Sequence, residues 1–402
     1  MSRTAALAGL AALAVLVWPS SAPAEGRVEL LDGIRVVTLT GRPYELGWQH
    51  GALLREEVRG AVGQVLGSVR RYLKVPILRS WLGSWWLDRA WRPAWRHIPK
   101  AYLEELRGLA EGSGVPYLEL LRMHAVPDRT YACANFAAWG RATGGGRLIH
   151  ARNLDWNIDV GLQRYAVVFV VRPEDGRAFV SAGWAGFIGV LTGVNEDRVS
   201  IGQIGAETVE RTYDGVPMAF LMRRVLEQAG TLEEAVRILE ESPRTVGVNY
   251  IVADAKEPGA VAVETTARHC RVFEADDPAE HEVAYARPLA DAVVRADTAM
   301  DPEIRDRQLA SKGDPGRPGF EPPAGSAYET RYLGQVRGIR DAAGALDVAG
   351  ALAIAQAVAP ESNIQSTIIA WPEFWVANAD GRVRAAHTDY HRLDLPSLFE
   401  ED

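Results

Sequence analysis

Apolar residues along the chain recur at two spacings, and the change from one to the other falls near residue 133. Over 25–39 the pattern alternates, as two short strands around an Asp32-Gly33 turn would. Leu46, Leu53, Leu54, Val58, Val62, Val65, Leu66 and Val69 then fall at helical spacing and predict one long helix over 45–73. Two shorter helices are predicted over 102–109 and 117–123, separated by Gly112-Ser113-Gly114. Beyond residue 133 the texture is that of strands, over 165–171, 177–182, 199–204, 246–252, 260–266 and 268–273. Later strands are predicted over 364–370, 374–377 and 383–387, and an exposed Pro- and Gly-rich loop over 311–325. Helical patterns occupy 217–229, 232–239, 327–338 and 346–357, the second opened by Thr231 with Glu234 three residues on, a capping box. No internal repeat is present. Strand clusters with helices grouped before and between them predict an α+β layered domain rather than a regular βαβ series.

The composition narrows this little, since 48% hydrophobic and 24% charged residues in a chain of 402 are ordinary for a folded protein. A formal net charge of −8 does change the picture, because a nucleic-acid partner needs a basic face. Residues 1–24 read as a signal peptide: Arg3, an apolar stretch from Ala5 to Trp18, then Ala22-Pro23-Ala24 before Glu25. That stretch is shorter than the roughly 20 residues a membrane span needs. The expectation is a periplasmic or secreted protein without stable membrane insertion; an uncleaved anchor is the alternative.

Export bears directly on the two cysteines, Cys133 and Cys270, which in an oxidising compartment can form a disulfide. A non-catalytic binding protein carrying that bridge is one reading. The surroundings of Cys133 give another. Tyr131-Ala132-Cys133-Ala134-Asn135-Phe136 leads into the turn Thr143-Gly144-Gly145-Gly146 and then Arg152-Asn153-Leu154-Asp155, a thiol on a β-hairpin. A thiol attacks as thiolate, so it needs a base or a positive neighbour, which Arg152 supplies from the adjacent strand. Asp155 can orient an amine. Acyl transfer also needs donors for an oxyanion, and Asn195 and Asn249 stand where turns meet strands, although either alone reads as a turn or cap residue.

Other chemistries lack their residues. There is no Gly-x-Ser-x-Gly elbow, His-Glu-x-x-His, Walker loop or Cys-x-x-Cys. His387 and His391 read as two surface histidines rather than a metal pair, and no metal or cofactor is expected. Gly183, Gly186, Gly189 and Gly193 read as close turns between strands rather than a phosphate loop. Trp81, Trp85, Trp86, Trp91 and Trp95, interleaved with Arg79, Arg89, Arg92 and Arg96, read as core with snorkelling arginines; an acyl-binding wall, a membrane-interface belt and a lid are the alternatives.

The run from Cys133 through Ala151-Arg152-Asn153-Leu154-Asp155-Trp156 resembles the acyl-coenzyme A:6-aminopenicillanate acyltransferase family of N-terminal-nucleophile hydrolases, and more remotely the choloylglycine hydrolases. The resemblance extends to Leu39-Thr40-Gly41-Arg42-Pro43-Tyr44-Glu45-Leu46-Gly47 with Gly51, to Gly183-Trp184-Ala185-Gly186-Phe187-Ile188-Gly189 and Gly193-Val194-Asn195-Glu196. It continues through Gly215-Val216-Pro217-Met218, Val248-Asn249-Tyr250 with Glu264, Arg331-Tyr332 and Ser362-Asn363-Ile364-Gln365-Ser366. It implies a four-layer αββα sandwich with a mostly helical N-terminal pro-segment, 25–132, which self-cleavage between Ala132 and Cys133 separates from 133–402. The two cleaved chains are expected to remain associated.

By the same resemblance Cys133 is the nucleophile, Asp155 holds the new α-amine and Arg152 matches a site arginine. Asn249 matches the oxyanion asparagine, Asn195 the central asparagine, and Arg331, with Arg337 as its rival, a late site arginine. Trp184 and Phe187 are expected to contact substrate. Ala134 departs from the family's usual Thr or Ser, and Tyr285-Ala286-Arg287-Pro288 stands where an Asn-His pair is common. An N-terminal cysteine needs no histidine, because its own amine, with a pKa of about 7.7–8.0, lies within reach of its thiol. The implied function is hydrolysis of a linear amide in an N-acylated small molecule or peptide-like compound through a Cys133 thioester. Acyl-coenzyme A-dependent transfer is the alternative, and export disfavours it.

Overall fold

A computed structural model describes residues 26–72, 88–89, 91–127, 132–283, 286–308 and 326–400. The leader expected over 1–24, Arg79, Trp81, Trp85 and Trp86 of the tryptophan stretch, Tyr285 and the loop expected over 311–325 lie outside these residues. Two sheets carry the architecture. The larger runs in the order β1 (Arg27–Leu31), β2 (Ile34–Gly41), β5 (Ala166–Pro173), β6 (Phe179–Trp184), β7 (Thr192–Asn195), β8 (Val199–Gly205), β9 (Val248–Asp254), β10 (Gly259–Thr265) and β11 (Cys270–Phe273). The smaller runs β12 (Ala292–Arg295), β3 (Ala132–Gly140), β4 (Gly146–Asp155), β13 (Asn363–Ala370), β14 (Glu373–Asn378) and β15 (His391–Asp394). Every ladder is antiparallel except β2 with β5.

The sheets face one another. His150 on β4 meets Ser200 on β8 at 2.8 Å, and Arg295 on β12 reaches Glu264 on β10 at 2.6 Å. β6, β9 and β13 are buried along their whole length, as strands covered on both faces are. Helices close the outer faces. α5 (Met218–Gln228) and α6 (Leu232–Glu241) pack on the larger sheet, while α7 (Ala327–Asp341) and α8 (Val348–Val358) pack on the smaller. The expected four-layer αββα sandwich is therefore what the chain forms.

The N-terminal segment has the two strands expected around Asp32-Gly33 and differs in its helices. It holds α1 (Pro43–Leu53), α2 (Arg55–Tyr72), α3 (Lys100–Ser113) and α4 (Tyr117–Ala125), but it also supplies β1 and β2 to the larger sheet. The single helix expected over 45–73 is two. Leu54, buried in the core, leaves helical geometry at φ −120° and ψ 33°. The break frees α1 to lie in backbone contact with α3, while Val58 and Val62 of α2 reach the loop at Gly186. Glycine is required between α1 and α3: a Cβ on Gly47 would stand 1.8 Å from the carbonyl oxygen of Glu105, and one on Gly108 2.0 Å from that of Tyr44.

Two smaller corrections follow the same logic of local context. The strand expected over 383–387 is absent; Ala385–His387 is a 3-10 turn whose Ala386 N–H donates to Asn363 Oδ1 (2.8 Å), docking it on the end of β13. The strand completing that sheet is the polar edge strand β15. At α6, Thr231 Oγ1 accepts from Glu234 N at 3.3 Å, but the Glu234 carboxylate accepts from Gly230 N at 2.7 Å rather than from Thr231.

Buried histidines tie the N-terminal segment to the loop after β6. His50 Nε2 accepts from Gly186 N at 2.9 Å. His124 Nε2 accepts from Ile188 N at 2.9 Å, while its Nδ1–H donates to Leu120 O at 2.7 Å. Burial pushes His50 down to about 3 and His124 to about 4, so both are neutral acceptors. A depressed pKa contributes stability that is complete above the ordinary 6.5 and is lost as pH falls toward the folded value. The urea-unfolding free energy of wild type relative to His124→Gln should therefore shrink by about 1.4 kcal/mol per pH unit between pH 6 and 4.5. A difference that stays constant over that range contradicts the neutral-acceptor role.

Candidate active site

The β3–β4 hairpin is made by its turn: Gly145 and Gly146 adopt φ of 75° and 76°, a region closed to most side chains. The ladder then sets Cys133 opposite Leu154, Asn135 opposite Arg152 and Ala132 opposite Asp155. Cys133 is wholly buried. Arg152 Nη2 donates to its Sγ at 3.4 Å, and Gln203 Nε2 of β8 lies 3.7 Å from the same sulfur. Arg152 is fixed by donating through Nε to Gln203 O (2.8 Å) and through Nη1 to Thr192 Oγ1. Burial pushes the thiol up to about 11; Arg152 opposes it, and Asp155 and Asp297 reinforce it.

The backbone nitrogen of Cys133 donates to Asp297 Oδ1 at 2.5 Å, across 164 residues of sequence. Asp155 is expected to hold the α-amine of a cut chain; in the continuous chain the carboxylate that accepts from this nitrogen is that of Asp297. The Asp155 side chain accepts from Arg331 through Oδ2 and from Asn363 Nδ2 at 3.2 Å through Oδ1. Burial raises its carboxyl to about 6, with Arg331 opposing. Arg331 Nη1 also donates to Asp297 Oδ2 at 2.9 Å, so one buried guanidinium bridges two carboxylates. Arg337 is exposed and turns to Leu333 O of its own helix, which decides between the two arginines for Arg331.

Asn195, expected as a site residue, makes its hydrogen bonds elsewhere. Its amide nitrogen donates to Leu226 O (2.9 Å) and Ala229 O (2.7 Å) at the end of α5, and its oxygen accepts from Val199 N. It fastens a helix to the β7–β8 turn. Thr192, at the other end of β7 and about 10 Å away along the strand, is the residue of β7 that touches Arg152. Asn249, opposite Ile204 in the β8–β9 ladder, donates weakly to the carbonyl oxygen of Thr298 (3.4 Å), the residue after Asp297, and among the described residues its buried Oδ1 has no partner.

Beside Leu154 lies a small apolar cavity of about 40 Å³. Trp184 and Phe187 line it, with Leu191, Trp156 and, from the N-terminal segment, Val65 and Met123. Ring stacking of Phe187 on His124 (4.7 Å between centroids) holds one wall. Trp91 is core, 2% exposed, as the commoner reading of the tryptophan stretch has it. Both cysteines are free thiols, so the Cys133–Cys270 bridge is not formed. Among the described residues no cluster of His, Cys, Asp or Glu could hold a metal ion, and no helix is long and apolar enough to cross a membrane.

A family model described as acyl-coenzyme A:6-aminopenicillanic acid acyl-transferase matches residues 141–283. Over these residues the chain is similar to that family. The acyl-transferase match includes Arg152, Asp155, Trp184, Phe187, Asn195 and Asn249, and ends short of Cys133 on one side and Arg331 on the other. Protein dcd1B of Dictyostelium discoideum is 29% identical over 268 residues, 61% of this chain and 53% of that protein. Acid ceramidase of Rattus norvegicus is 24% identical over 204 residues, 44% of this chain and 51% of that protein. The chain thus spans about half the length of these curated relatives. The solved Caenorhabditis elegans N-acylethanolamine-hydrolyzing acid amidase ortholog superposes with a TM-score of 0.43 at 18% identity, over 59% of this chain and 92% of that one.

Asp297 and Gln203 were not legible as site residues. No sequence signal marks Asp297, and Gln203 sits in a strand whose pairing partners only the fold defines. Removing the bridging cation leaves two buried carboxylates without a counter-charge, so Arg331→Leu should cost roughly 3–5 kcal/mol in urea unfolding. Arg337→Leu should stay within about 0.5 kcal/mol. Equal effects from the two variants would contradict the assignment.

Proposed function

We propose that this chain is a self-cleaving cysteine amide hydrolase of the N-terminal-nucleophile kind, acting on a linear amide whose acyl group is apolar. The observation that carries this reading is the setting of Cys133. Its sulfur lies by a guanidinium, its nitrogen on a carboxylate, and the ladder partner Leu154 lines an apolar cavity. A family named for acyl transfer and a relative named acid ceramidase agree with an acyl group as the part transferred.

In the precursor the Cys133 sulfur bonds to the Ala132 carbonyl carbon, the C–N bond breaks, and the thiol proton ends on the nitrogen. Water then cleaves the thioester, leaving a carboxylate on Ala132 and the thiol on a new N-terminal cysteine. In the mature protein the same sulfur attacks a substrate amide, with Gln203, whose amide lies 3.7 Å from the sulfur, and Asn249 as donors to a developing oxyanion. The leaving amine takes a proton, and water resolves the thioester. Trp184 and Phe187 hold the acyl group.

The cut chains stay together in this reading. β2 pairs with β5 along six residue pairs, and Arg223 of α5 forms a buried ion pair with Glu105 of α3 at 2.6 Å. The leader read over 1–24 places the chemistry in the periplasm or outside the cell, where water is the abundant acyl acceptor.

Wild type should run as two chains on a denaturing gel and release free acid from N-acyl amides, faster as the acyl chain lengthens to fill the cavity. Cys133→Ala should run as one chain and release none. Acid release by that variant, or wild-type acyl transfer to an added amine from a coenzyme A thioester without hydrolysis, would defeat the proposal.

A further inference from the structure

Two contacts of the site come from one stretch of irregular backbone, residues 296–301 after β12. Asp297 Oδ1 accepts from the Cys133 nitrogen at 2.5 Å, and Thr298 O accepts from Asn249 Nδ2 at 3.4 Å. The second contact bears on chemistry, because an amide nitrogen carries two hydrogens. With one held on Thr298 O, the plane of the Asn249 amide is set and the other is left for an oxyanion. A loop has no ladder to hold its backbone, so its position has to come from side chains.

One side chain holds both ends of this stretch. Glu264 on β10 is wholly buried, and its carboxylate accepts from Met300 N through both oxygens (2.8 Å each) and from Asp301 N at 2.9 Å. It also accepts from Arg295 Nε at 2.6 Å, at the end of β12 where the loop begins. Glu264 stands directly opposite Asn249 in the β9–β10 ladder, so it shares a face of the sheet with the amide that the loop orients. Gln308 adds a grip in the middle, donating to Asp297 O and accepting from Ala299 N at 3.0 Å. Arg295 has a second carboxylate, Glu280, on Nη2 at 2.5 Å, and among the described residues that side chain makes no hydrogen bond to the loop.

We propose that Glu264 is a positioning residue for both self-cleavage and amide hydrolysis: through residues 296–301 it places Asp297 on the Cys133 nitrogen and Thr298 O on the Asn249 amide. The inference rests on the self-cleaving amide hydrolase reading above. Glu264 acts only through the loop, as an acceptor for two backbone N–H groups and a guanidinium at once. A neutral amide at this position would turn an NH2 group against those donors. Displacing groups at a reacting centre by about 1 Å is enough to cost about a hundredfold in rate.

The test compares Glu264→Gln with Glu280→Gln, since each takes one carboxylate from Arg295 but only the first takes the loop's acceptor. The time course of precursor cleavage is read by intact mass, hydrolysis by kcat and KM on an N-acyl amide, and folding by urea unfolding. Glu264→Gln should be cut about tenfold to a hundredfold more slowly than wild type. Its cut form should lose kcat by a similar factor, with KM within about twofold. Glu280→Gln should be cut and turn over as wild type does. Glu264→Asp keeps a charge beside Arg295 but draws it back from Met300 by about 1.5 Å; it should be slowed in the same way, and it carries the test if Glu264→Gln does not fold. Equal slowing in the two Gln variants overturns the assignment, as does wild-type cleavage and kcat in a folded Glu264 variant. Failure of both Glu264 variants to fold makes the role structural and overturns it too. A wild-type chain that is never cut overturns the underlying reading, and this inference with it.

Discussion

The thiol of Cys133 lies between two sheets with no surface open to water, and a charge in such a place persists only beside an opposite one. Much of the neighbouring architecture serves that requirement. β4 brings Arg152 to the sulfur, α7 brings Arg331 to the two carboxylates, and the loop after β12 brings Asp297 to the nitrogen. Each of these groups is itself tied down: Arg152 by Gln203 and Thr192, Asp155 by Asn363, and the Asp297 loop by Glu264 and Gln308. These ties form a network that reaches across both sheets.

The N-terminal segment is part of the same construction. Its β2 extends the larger sheet, its four glycine contacts lock α1 on α3, and His50 and His124 hold the backbone of the loop that carries Phe187. Arg223 joins the two parts again, donating to both Glu105 oxygens, to Glu227 and to Ile188 O. Ile188 is therefore held at its N–H by His124 and at its C=O by Arg223. One wall of the apolar cavity thus depends on residues on both sides of the proposed cut.

What the sequence made legible was local. The Cys133 hairpin, its Gly turn and the presence of Arg152 and Asp155 on the returning strand follow from spacing alone, because an antiparallel ladder places them. Helices with a clear apolar stripe were also legible, as were strands of seven or eight residues. The four-residue strands β7 and β12 were not, since so short a run shows no period, and β15 is a polar edge. Roles set between sheets were hidden too. Asp297 approaches Cys133 only through the packing of distant elements, and an asparagine such as Asn195 has the same local signature whether it caps a helix or faces a nucleophile. The single helix expected over 45–73 failed for a similar reason: its apolar spacing continues through Leu54, where packing of α1 on α3 overrides it.

The account stands or falls on whether Cys133 becomes a chain terminus. Intact-mass and N-terminal analysis of the purified full-length protein, under denaturing conditions, reads this directly. The prediction is two chains in equal amount, the larger beginning at Cys133 and the smaller ending at Ala132. A single chain that runs unbroken through Ala132–Cys133 while hydrolysing amides would contradict it.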